Sequence, residues 1–352
     1  MLNRSNPIIT EDIDNIIAST SINWQELANK TVLITGANGF LPCYLVFTLL
    51  KLNDALSYNI NIIALVRNRE KALKRFENEM GRDDFKLIVQ DVCDPIDVSD
   101  KIHYIIHAAS QASPKFYGSD PVGTINANVQ GTLNLLKLAK ENSVEKFLYF
   151  SSSEIYGNIS ADVDYIAETD SGYIDPTNVR SCYSESKRLG ETMCIAWMHQ
   201  YGVPVSIVRI FHSYGPGMDL YDGRVFADFI ADIVNNRDIL MKSDGTAVRA
   251  FCYLTDATKA FFLILLNGEN GGAYNMGNPN CECSVINLAH KLVNLYPEKK
   301  LNVVEKEVEK AGYIKSPVQR IVPYISKIKS LGWSPAISIE EGFSRTISSY
   351  IN

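Results

Sequence analysis

The chain has 352 residues, of which 46% are hydrophobic and 21% are charged, and its formal net charge at pH 7 is −6. These proportions are close to globular averages, and the length suits one large α/β domain or a domain with an added lobe. The negative charge, without a long basic run, argues against nucleic acid as a partner. We recognise no signal peptide and no apolar run long enough to span a bilayer, so no membrane role is expected.

The seven cysteines stand at positions 43, 93, 182, 194, 252, 281 and 283, and they form no Cys-x-x-Cys pair. Since no His/Cys cluster has the spacing of a zinc site, we expect no bound metal. An odd number of unpatterned cysteines is typical of a protein in a reducing compartment, which predicts a cytoplasmic location.

Short apolar runs alternate with helical stretches through the first half of the chain. We predict strands at residues 31–35, 60–66, 86–90, 103–107, 146–151 and 205–210, with helices between them. This alternation is typical of a parallel sheet with helices on both faces. The predicted fold is therefore α/β, a Rossmann-type doubly wound parallel sheet.

Three segments are predicted along the chain. In residues 1–29, the stretches 12–18 and 24–28 look amphipathic, which favours a helical extension packed on the fold, with a frayed tail as the alternative. Residues 30–211 form the dinucleotide-binding domain. In residues 212–352 Gly, Pro and Asn interrupt the pattern, which indicates a smaller C-terminal lobe, partly interleaved with the last strands of the sheet.

A glycine turn joins the first strand to the first helix of the sheet. Gly36 and Gly39 follow the run Thr-Val-Leu-Ile-Thr at 31–35, and a helical stretch runs from Leu41 to about residue 52. Glycines let the backbone approach a pyrophosphate, and a helix N-terminus offers free N–H groups. Pro42 replaces the third glycine of the usual fingerprint and is acceptable in a first helical turn. An ordinary tight turn is the alternative.

Tyr183 and Lys187 stand four residues apart, which places them on one face of a helix. A phenol with an ordinary pKa of about 10 is a poor base at neutral pH, whereas a nearby lysine cation and a positively charged cofactor favour the phenolate. Ser152, at the end of a neighbouring strand, would share the substrate proton. Together these groups predict removal of a proton from a carbinol while its hydride leaves for a nicotinamide.

From about residue 30 onward, ordered motifs resemble those of one enzyme family. They include Ser-Ser-Ser-Glu-Ile-Tyr-Gly at 151–157 and Arg-Ser-Cys-Tyr-Ser-Glu-Ser-Lys-Arg at 180–188. Further matches lie at 107–114, 128–132, 191–194, 209–211, 214–216, 223–225, 249–253, 274–279 and 331–335. The chain resembles the extended short-chain dehydrogenase/reductase enzymes that modify nucleotide sugars, within the NAD-dependent epimerase/dehydratase group, and looks most like the UDP-glucuronate decarboxylase branch.

The resemblance implies the catalytic roles. Tyr183 would be the base, Lys187 would bind the nicotinamide ribose, and Ser152 would contact the sugar O4. Glu154 matches a carboxylate used in 4,6-dehydration and decarboxylation, and a carboxylate at a buried strand end beside a phenolate suits acid or base catalysis. A rim carboxylate paired with an arginine is the alternative for Glu154.

The resemblance also implies two sets of binding residues. The cofactor would be bound by Gly36, Asn38, Gly39, Phe40, Leu41, Arg67, Asp91, Val92, Ala108, Ala109, Ser110, Tyr183 and Lys187. The nucleotide sugar would be bound by Ser113, Arg180, His212, Arg224, Arg249 and Arg320, and 212–352 would be mainly its binding lobe. Arg224 and Arg249 suit the substrate diphosphate, because guanidinium groups match paired phosphate oxygens. Arg180 would hold a substrate carboxylate or the cofactor pyrophosphate, or lie at the surface.

Three residues depart from the family pattern. Arg67 stands where an acidic residue commonly binds the adenosine ribose, and an arginine there can take a 2′-phosphate. NADP is therefore suggested and NAD is not excluded, because Arg67 can also stack on adenine or be solvated. His212 replaces an asparagine and Gly217 an arginine, which leaves the substrate open; His212 is a sugar ligand or a structural histidine.

These inferences predict an NAD(P)-dependent nucleotide-sugar lyase, working as a homodimer. It would oxidise the hexose at C4 and then decarboxylate or 4,6-dehydrate it. The alternatives are a C4-epimerase, which needs no carboxylate like Glu154, or a 4-ketosugar reductase. A non-enzymatic sensor on the same fold is disfavoured by the complete set of Ser152, Tyr183 and Lys187.

Overall fold

The structure, a computed structural model, describes residues 2–160, 162–305 and 319–351. Residues 306–318, which fall within the predicted C-terminal lobe, lie outside the described residues.

The strands follow one another along the described chain as β1 (Thr31–Thr35), β2 (Asn61–Val66), β3 (Phe85–Val89), β4 (Tyr104–His107), β5 (Lys146–Ser152), β6 (Val205–Ile210), β7 (Ser213–Tyr214), β8 (Ile239–Leu240), β9 (Val248–Ala250), β10 (Cys252–Tyr253), β11 (Gly272–Met276), β12 (Glu282–Ser284), β13 (Val303–Val304) and β14 (Arg320–Ile321). The first six lie within one residue of the predicted bounds.

The helices are α1 (Pro7–Ile17), α2 (Pro42–Leu56), α3 (Arg69–Arg75), α4 (Lys115–Ser119), α5 (Pro121–Asn142), α6 (Ser181–Tyr201), α7 (Val225–Val234), α8 (Leu254–Asn267), α9 (Val285–Asn294), α10 (Ser326–Lys329) and α11 (Ile339–Ile351). Short 3-10 turns lie at Trp24–Leu27, Glu77–Glu79, Ser153–Tyr156, Pro279–Cys281 and Pro297–Lys299. None of the described helices is long and apolar enough to cross a membrane.

Seven strands form one parallel sheet in the order β11-β6-β5-β4-β1-β2-β3. The predicted doubly wound fold is thus confirmed. From β1 the chain builds outward through β2 and β3, then returns to place β4 on the other side of β1. In open α/β sheets this reversal of strand order opens a crevice at the carboxyl ends of the strands, where ligands bind.

Both faces of the sheet are buried, because successive side chains of a strand point to opposite faces. Val32 and Ile34 of β1 pack in the core on the side of α2 and α8, whereas Leu33 packs in the core formed with α5 and α6. Because helices cover both faces of the sheet, successive residues of each strand are buried. This explains the continuous apolar runs in the sequence.

The C-terminal lobe has its own apolar core, centred on α7, α9 and α11. It is interleaved with the sheet, since β11 forms an edge strand of the sheet and α8 packs against β5 and β6. At the opposite end of the sequence, α1 packs against α2, α8 and α11. The N-terminal helix thereby contacts both the sheet layer and the lobe.

Candidate active site

The glycine turn after β1 lies against the end of β4 at the reversal of strand order. Gly36 has φ +63°, and a Cβ added there would meet Cα of Ala109 at 2.9 Å, while one at Gly39 would meet the Gly36 carbonyl oxygen at 2.9 Å. Only glycine fits this cradle without displacing backbone. Helix α2 begins directly after it, and no side chain caps its N-terminus. Free N–H groups and close backbone approach fit the pyrophosphate of a dinucleotide.

A central cleft of about 710 Å³ runs from this turn to the C-terminal lobe. The cleft falls within the size range of small-molecule binding sites. Fifteen of the predicted site residues line it: Gly36, Gly39, Phe40, Leu41, Ala108, Ala109, Ser110, Ser152, Glu154, Arg180, Tyr183, Lys187, His212, Arg224 and Arg249. Among the described residues, the buried Oγ of Ser110 has no hydrogen-bond partner, which is a further fit to a bound polar ligand.

Tyr183 and Lys187 lie on α6, one helical turn apart, and both are buried. Burial raises the pKa of Tyr183 to about 12, opposed by a hydrogen bond with Ser152 and by the charge of Arg224. Burial also lowers the pKa of Lys187 to about 7, and its Nζ donates to the Phe150 carbonyl at 2.7 Å. The expected lowering of the phenol pKa by the lysine is therefore not achieved by these protein groups alone.

Glu154 lies in the turn that follows β5, not on the strand itself. The strand ends at Ser152, and residues Ser153–Tyr156 form a 3-10 turn whose first N–H groups need a partner. The hydroxyl of Ser152 accepts from the Glu154 N–H at 3.2 Å. Ser152 thus caps the turn that carries Glu154, and both side chains line the cleft.

Glu154 forms an ion pair with Arg180, as one of the two sequence interpretations expected. A terminal nitrogen of Arg180 lies 3.0 Å from a carboxylate oxygen of Glu154, and both side chains line the cleft. Arg180 directly precedes α6, one turn before Tyr183. A carboxylate and a guanidinium therefore line the same cleft as the phenol of Tyr183.

Two further arginines and a histidine line the lobe side of the cleft. Arg224, at the start of α7, donates to Asp222 at 2.9 Å and to the Ala112 carbonyl at 3.2 Å. Arg249, on β9, donates to the Val248 and Gln319 carbonyls. Burial and these two arginines lower the pKa of His212 well below its usual range, so its imidazole is neutral. Among the described residues, its buried Nδ1 has no hydrogen-bond partner.

The predicted adenosine-binding residues lie beyond the central cleft, at the carboxyl ends of β2 and β3. Arg67 has 60% of its side chain exposed, and a terminal nitrogen lies 3.7 Å from the Asp91 carboxylate. Asp91 accepts from the Cys93 N–H at 2.9 Å, and Val92 is buried against Gly131 of α5. Asn38 is half-buried in the glycine turn.

Ser113 and Arg320 do not line the central cleft. The hydroxyl of Ser113 donates to the Asp222 carbonyl, which ties the loop after β4 to the lobe. Arg320 pairs with Glu282 at 2.7 Å, and its neighbour Ile321 lines the cleft instead. Their predicted contacts with the substrate remain predictions.

Sequence reasoning missed Tyr117 and the ion pair of Lys242 with Asp228, all of which line the cleft. Tyr117, on α4, stacks on Tyr183 although 66 residues separate them in sequence (183 − 117). The matched motif at 107–114 ends three residues before it, so the loop was recognised but this side chain was not.

Comparisons with known proteins give a consistent result. Residues 32–277 match the NAD dependent epimerase/dehydratase family. UDP-glucuronic acid decarboxylase 6 of Arabidopsis thaliana is 36% identical over 318 residues, which cover 90% of this chain and 87% of the relative. UDP-glucuronic acid decarboxylase 1 of Xenopus tropicalis is 35% identical over 324 residues, which cover 92% and 72%.

A solved structure of UDP-glucuronic acid 4-epimerase from Bacillus cereus, in complex with UDP-glucuronic acid and NAD, has a TM-score of 0.76 and 22% identity to this chain. The match covers 91% of this chain and 98% of that one. At 22% identity, this similarity shows that the two chains share a fold.

Proposed function

The chain belongs to the NAD dependent epimerase/dehydratase family, and we propose that it is a lyase that oxidises C4 of UDP-glucuronic acid and then decarboxylates the sugar. The observation that carries this proposal is the ion pair of Glu154 and Arg180 beside Tyr183. A C4-epimerase needs no carboxylate like Glu154, because its ketone only turns between faces. A dehydratase uses a carboxylate but has no sugar carboxylate for Arg180 to bind.

The reaction needs a base at O4 and a cation at C6. The glycine turn at Gly36 and Gly39, with Lys187, would hold NAD(P), which would supply a reversible hydride acceptor for C4. Tyr183 takes the O4 proton, and Ser152 holds O4 in place. Arg180 binds the C6 carboxylate of the sugar, exchanging it for Glu154. The C5–C6 bond then breaks, carbon dioxide leaves, and its electron pair passes into the adjacent 4-ketone.

Glu154 becomes the second proton carrier of this sequence. Once the substrate carboxylate occupies Arg180, Glu154 is released on the same side of the cleft, takes up a proton from solvent and passes it to C5. The proton held by Tyr183 returns to O4 when the ketone is reduced. Arg224 and Arg249 bind the diphosphate, and the open Nδ1 of neutral His212 hydrogen-bonds the substrate.

The proposal is tested by mass spectrometry of the products from UDP-, dTDP-, GDP- and CDP-sugars, UDP-glucuronic acid included. Loss of carbon dioxide from UDP-glucuronic acid supports the lyase. Loss of water from a neutral hexose would instead support 4,6-dehydration, and unchanged mass with altered chromatographic mobility would support epimerisation.

Arg67 favours NADP over NAD as the cofactor. Its exposed guanidinium can turn from Asp91 to a 2′-phosphate, where an acidic residue would repel that group. Arg67→Ala should weaken NADP binding by about 1.5–3 kcal/mol, typical of a hydrogen bond to a charged group, and spare NAD. Calorimetry showing equal losses for both cofactors would mean that Arg67 only stacks on adenine.

We also propose a homodimer working in a reducing cytoplasm. All seven cysteines are unpaired.

The longest described helices, α5 and α6, expose large apolar side chains, among them Val122 and Ile125 on α5 and Leu189 and Ile195 on α6. Exposed apolar groups on two adjacent helices are typical of a contact with another copy. Light scattering of Leu189→Glu should show a shift toward monomer; an unchanged mass would remove α6 from the interface.

A further inference from the structure

Tyr117 lies where the two chemically active parts of the cleft meet. Its ring stacks on that of Tyr183, with centroids 5.0 Å apart and planes inclined by 18°. The guanidinium carbon of Arg180, the partner of Glu154, lies 5.4 Å from the centroid of the same ring. Tyr117 is 3% exposed and lines the cleft. One buried ring therefore contacts both the phenol and the arginine of the proposed reaction.

Tyr117 is itself held by the loop between β4 and α4. Its hydroxyl donates to the Ala112 carbonyl at 3.1 Å, and the same carbonyl accepts from Arg224 at 3.2 Å. The hydroxyl of Ser113, in the same loop, donates to the carbonyl of Asp222. The bonds of Arg224 and Ser113 fix this loop relative to the C-terminal lobe, and the buried ring of Tyr117 is held by its packing in addition to its hydroxyl.

We propose that the ring of Tyr117 is a positioning device for C4 oxidation. A phenol oxygen moves when the side chain turns about its Cα–Cβ bond, and a flat ring packed on one face opposes that movement, so that the Tyr183 oxygen stays directed at Ser152 and the sugar O4. Contact with the same ring restrains Arg180 near Glu154. This inference rests on the proposed role of Tyr183 as the base.

The test compares two variants of the full-length protein. Tyr117→Phe keeps the stacked ring and loses only the bond to Ala112, whereas Tyr117→Leu removes the ring. Tyr201→Leu is the matched control: Tyr201 is half-exposed and pairs with Trp197 at the other end of α6, with centroids 4.8 Å apart. It also removes an aromatic contact from that helix, but far from the cleft.

With saturating cofactor and substrate, kcat for C4 oxidation should fall by about 10²-fold in Tyr117→Leu, as for a reacting group displaced by about 1 Å. KM should change by less than about 3-fold, since the ring positions the base rather than binding the sugar. Tyr117→Phe and Tyr201→Leu should retain kcat within about 3-fold. An unchanged kcat in Tyr117→Leu, or an equal fall in Tyr117→Phe, would overturn the proposal.

A replacement variant and an early readout keep the test of Tyr117 separate from folding and from the identity of the later reaction. If Tyr117→Leu does not fold, Tyr117→Met fills a similar volume without a flat ring and is held to the same expectation. The readout is reduction of bound cofactor, which precedes decarboxylation, dehydration and epimerisation alike. Cofactor reduction without carbon dioxide would therefore contradict only the proposed lyase. If the wild type oxidises no sugar, a crystal structure of Tyr117→Leu decides: a Tyr183 oxygen in its wild-type position would overturn the positioning role.

Discussion

At the residue scale, the proposed base, Tyr183, is a buried phenol. The pKa of Tyr183 is about 12 because burial outweighs its hydrogen bond with Ser152. Lys187 lies one turn away, and its own pKa is lowered to about 7 by burial. Anything that adds positive charge beside the phenol favours the phenolate, and the proposed cofactor has that property.

Tyr183→Phe removes the base and leaves the shape of the cleft unchanged. Cofactor and substrate binding should be almost unaffected, while turnover should fall by the roughly 10²–10⁴-fold expected for loss of a positioned base. Calorimetry and steady-state kinetics measure the two quantities. Near-normal turnover in this variant would remove Tyr183 from the catalytic role.

Lys187 should make the free energy of unfolding depend on pH between about 7 and 10.5. Its pKa in the folded protein, about 7, lies below the ordinary value of 10.5, so the unfolded chain binds more protons between these two values. Relative to Lys187→Met, the wild type should therefore gain stability as pH rises from 7 toward 10.5, by up to about 1.4 kcal/mol per pH unit. Urea unfolding at several pH values gives the difference; parallel curves would mean an unshifted lysine.

The sequence could predict the helical pair Tyr183 and Lys187, because i and i+4 positions on a helix face the same side. The sequence could not decide whether the Glu154 carboxylate is free or forms an ion pair. Its ion pair with Arg180 depends on how the turn at Ser153–Tyr156 packs against α6. Tyr117 was missed for a similar reason, since its contact with Tyr183 joins distant parts of the chain.

At the element scale, α1 joins the layer of helices on the sheet to the C-terminal lobe. Its Asp12 is 1% exposed and accepts from the hydroxyls of Tyr44 on α2 and Tyr253 on β10, both at 2.8 Å. Arg345 of α11 donates to the other carboxylate oxygen at 2.7 Å. Amphipathic spacing favoured a packed helix here, but only the fold brings these three partners together.

Asp12→Ala should lower the free energy of unfolding by about 3 kcal/mol, because it leaves two buried phenols without their acceptor and removes one of the two carboxylates that pair with Arg345. The matched control is Glu11→Ala, since Glu11 also pairs with Arg345 but has 61% of its side chain exposed and should contribute little. Urea unfolding measures both variants. If Asp12→Ala lowers the free energy of unfolding as little as Glu11→Ala does, α1 is held by apolar packing rather than by the Asp12 carboxylate.

At the scale of the whole molecule, the strand order places the glycine turn, the end of β5 and the start of α6 around one crevice. Alternating patterns were enough to predict the first six strands of the sheet, and the family relationship is confirmed by the match of residues 32–277. The seventh strand, β11, was not predicted individually, because its pairing with β6 depends on a chain return through the C-terminal lobe.

The central claim is that C4 oxidation is followed by loss of C6 through Glu154 and Arg180. The most direct test supplies UDP-glucuronic acid labelled with ¹³C in its carboxyl group to the wild type and to Glu154→Gln, with cofactor absorbance and labelled carbon dioxide recorded together. We predict that the wild type releases labelled carbon dioxide turnover after turnover and restores its oxidised cofactor, whereas Glu154→Gln releases carbon dioxide at most once, keeps its cofactor reduced and stalls with the decarboxylated 4-ketosugar bound, because C5 receives no proton. A wild-type product that retains the label, formed equally well by Glu154→Gln, would contradict the lyase and establish an epimerase.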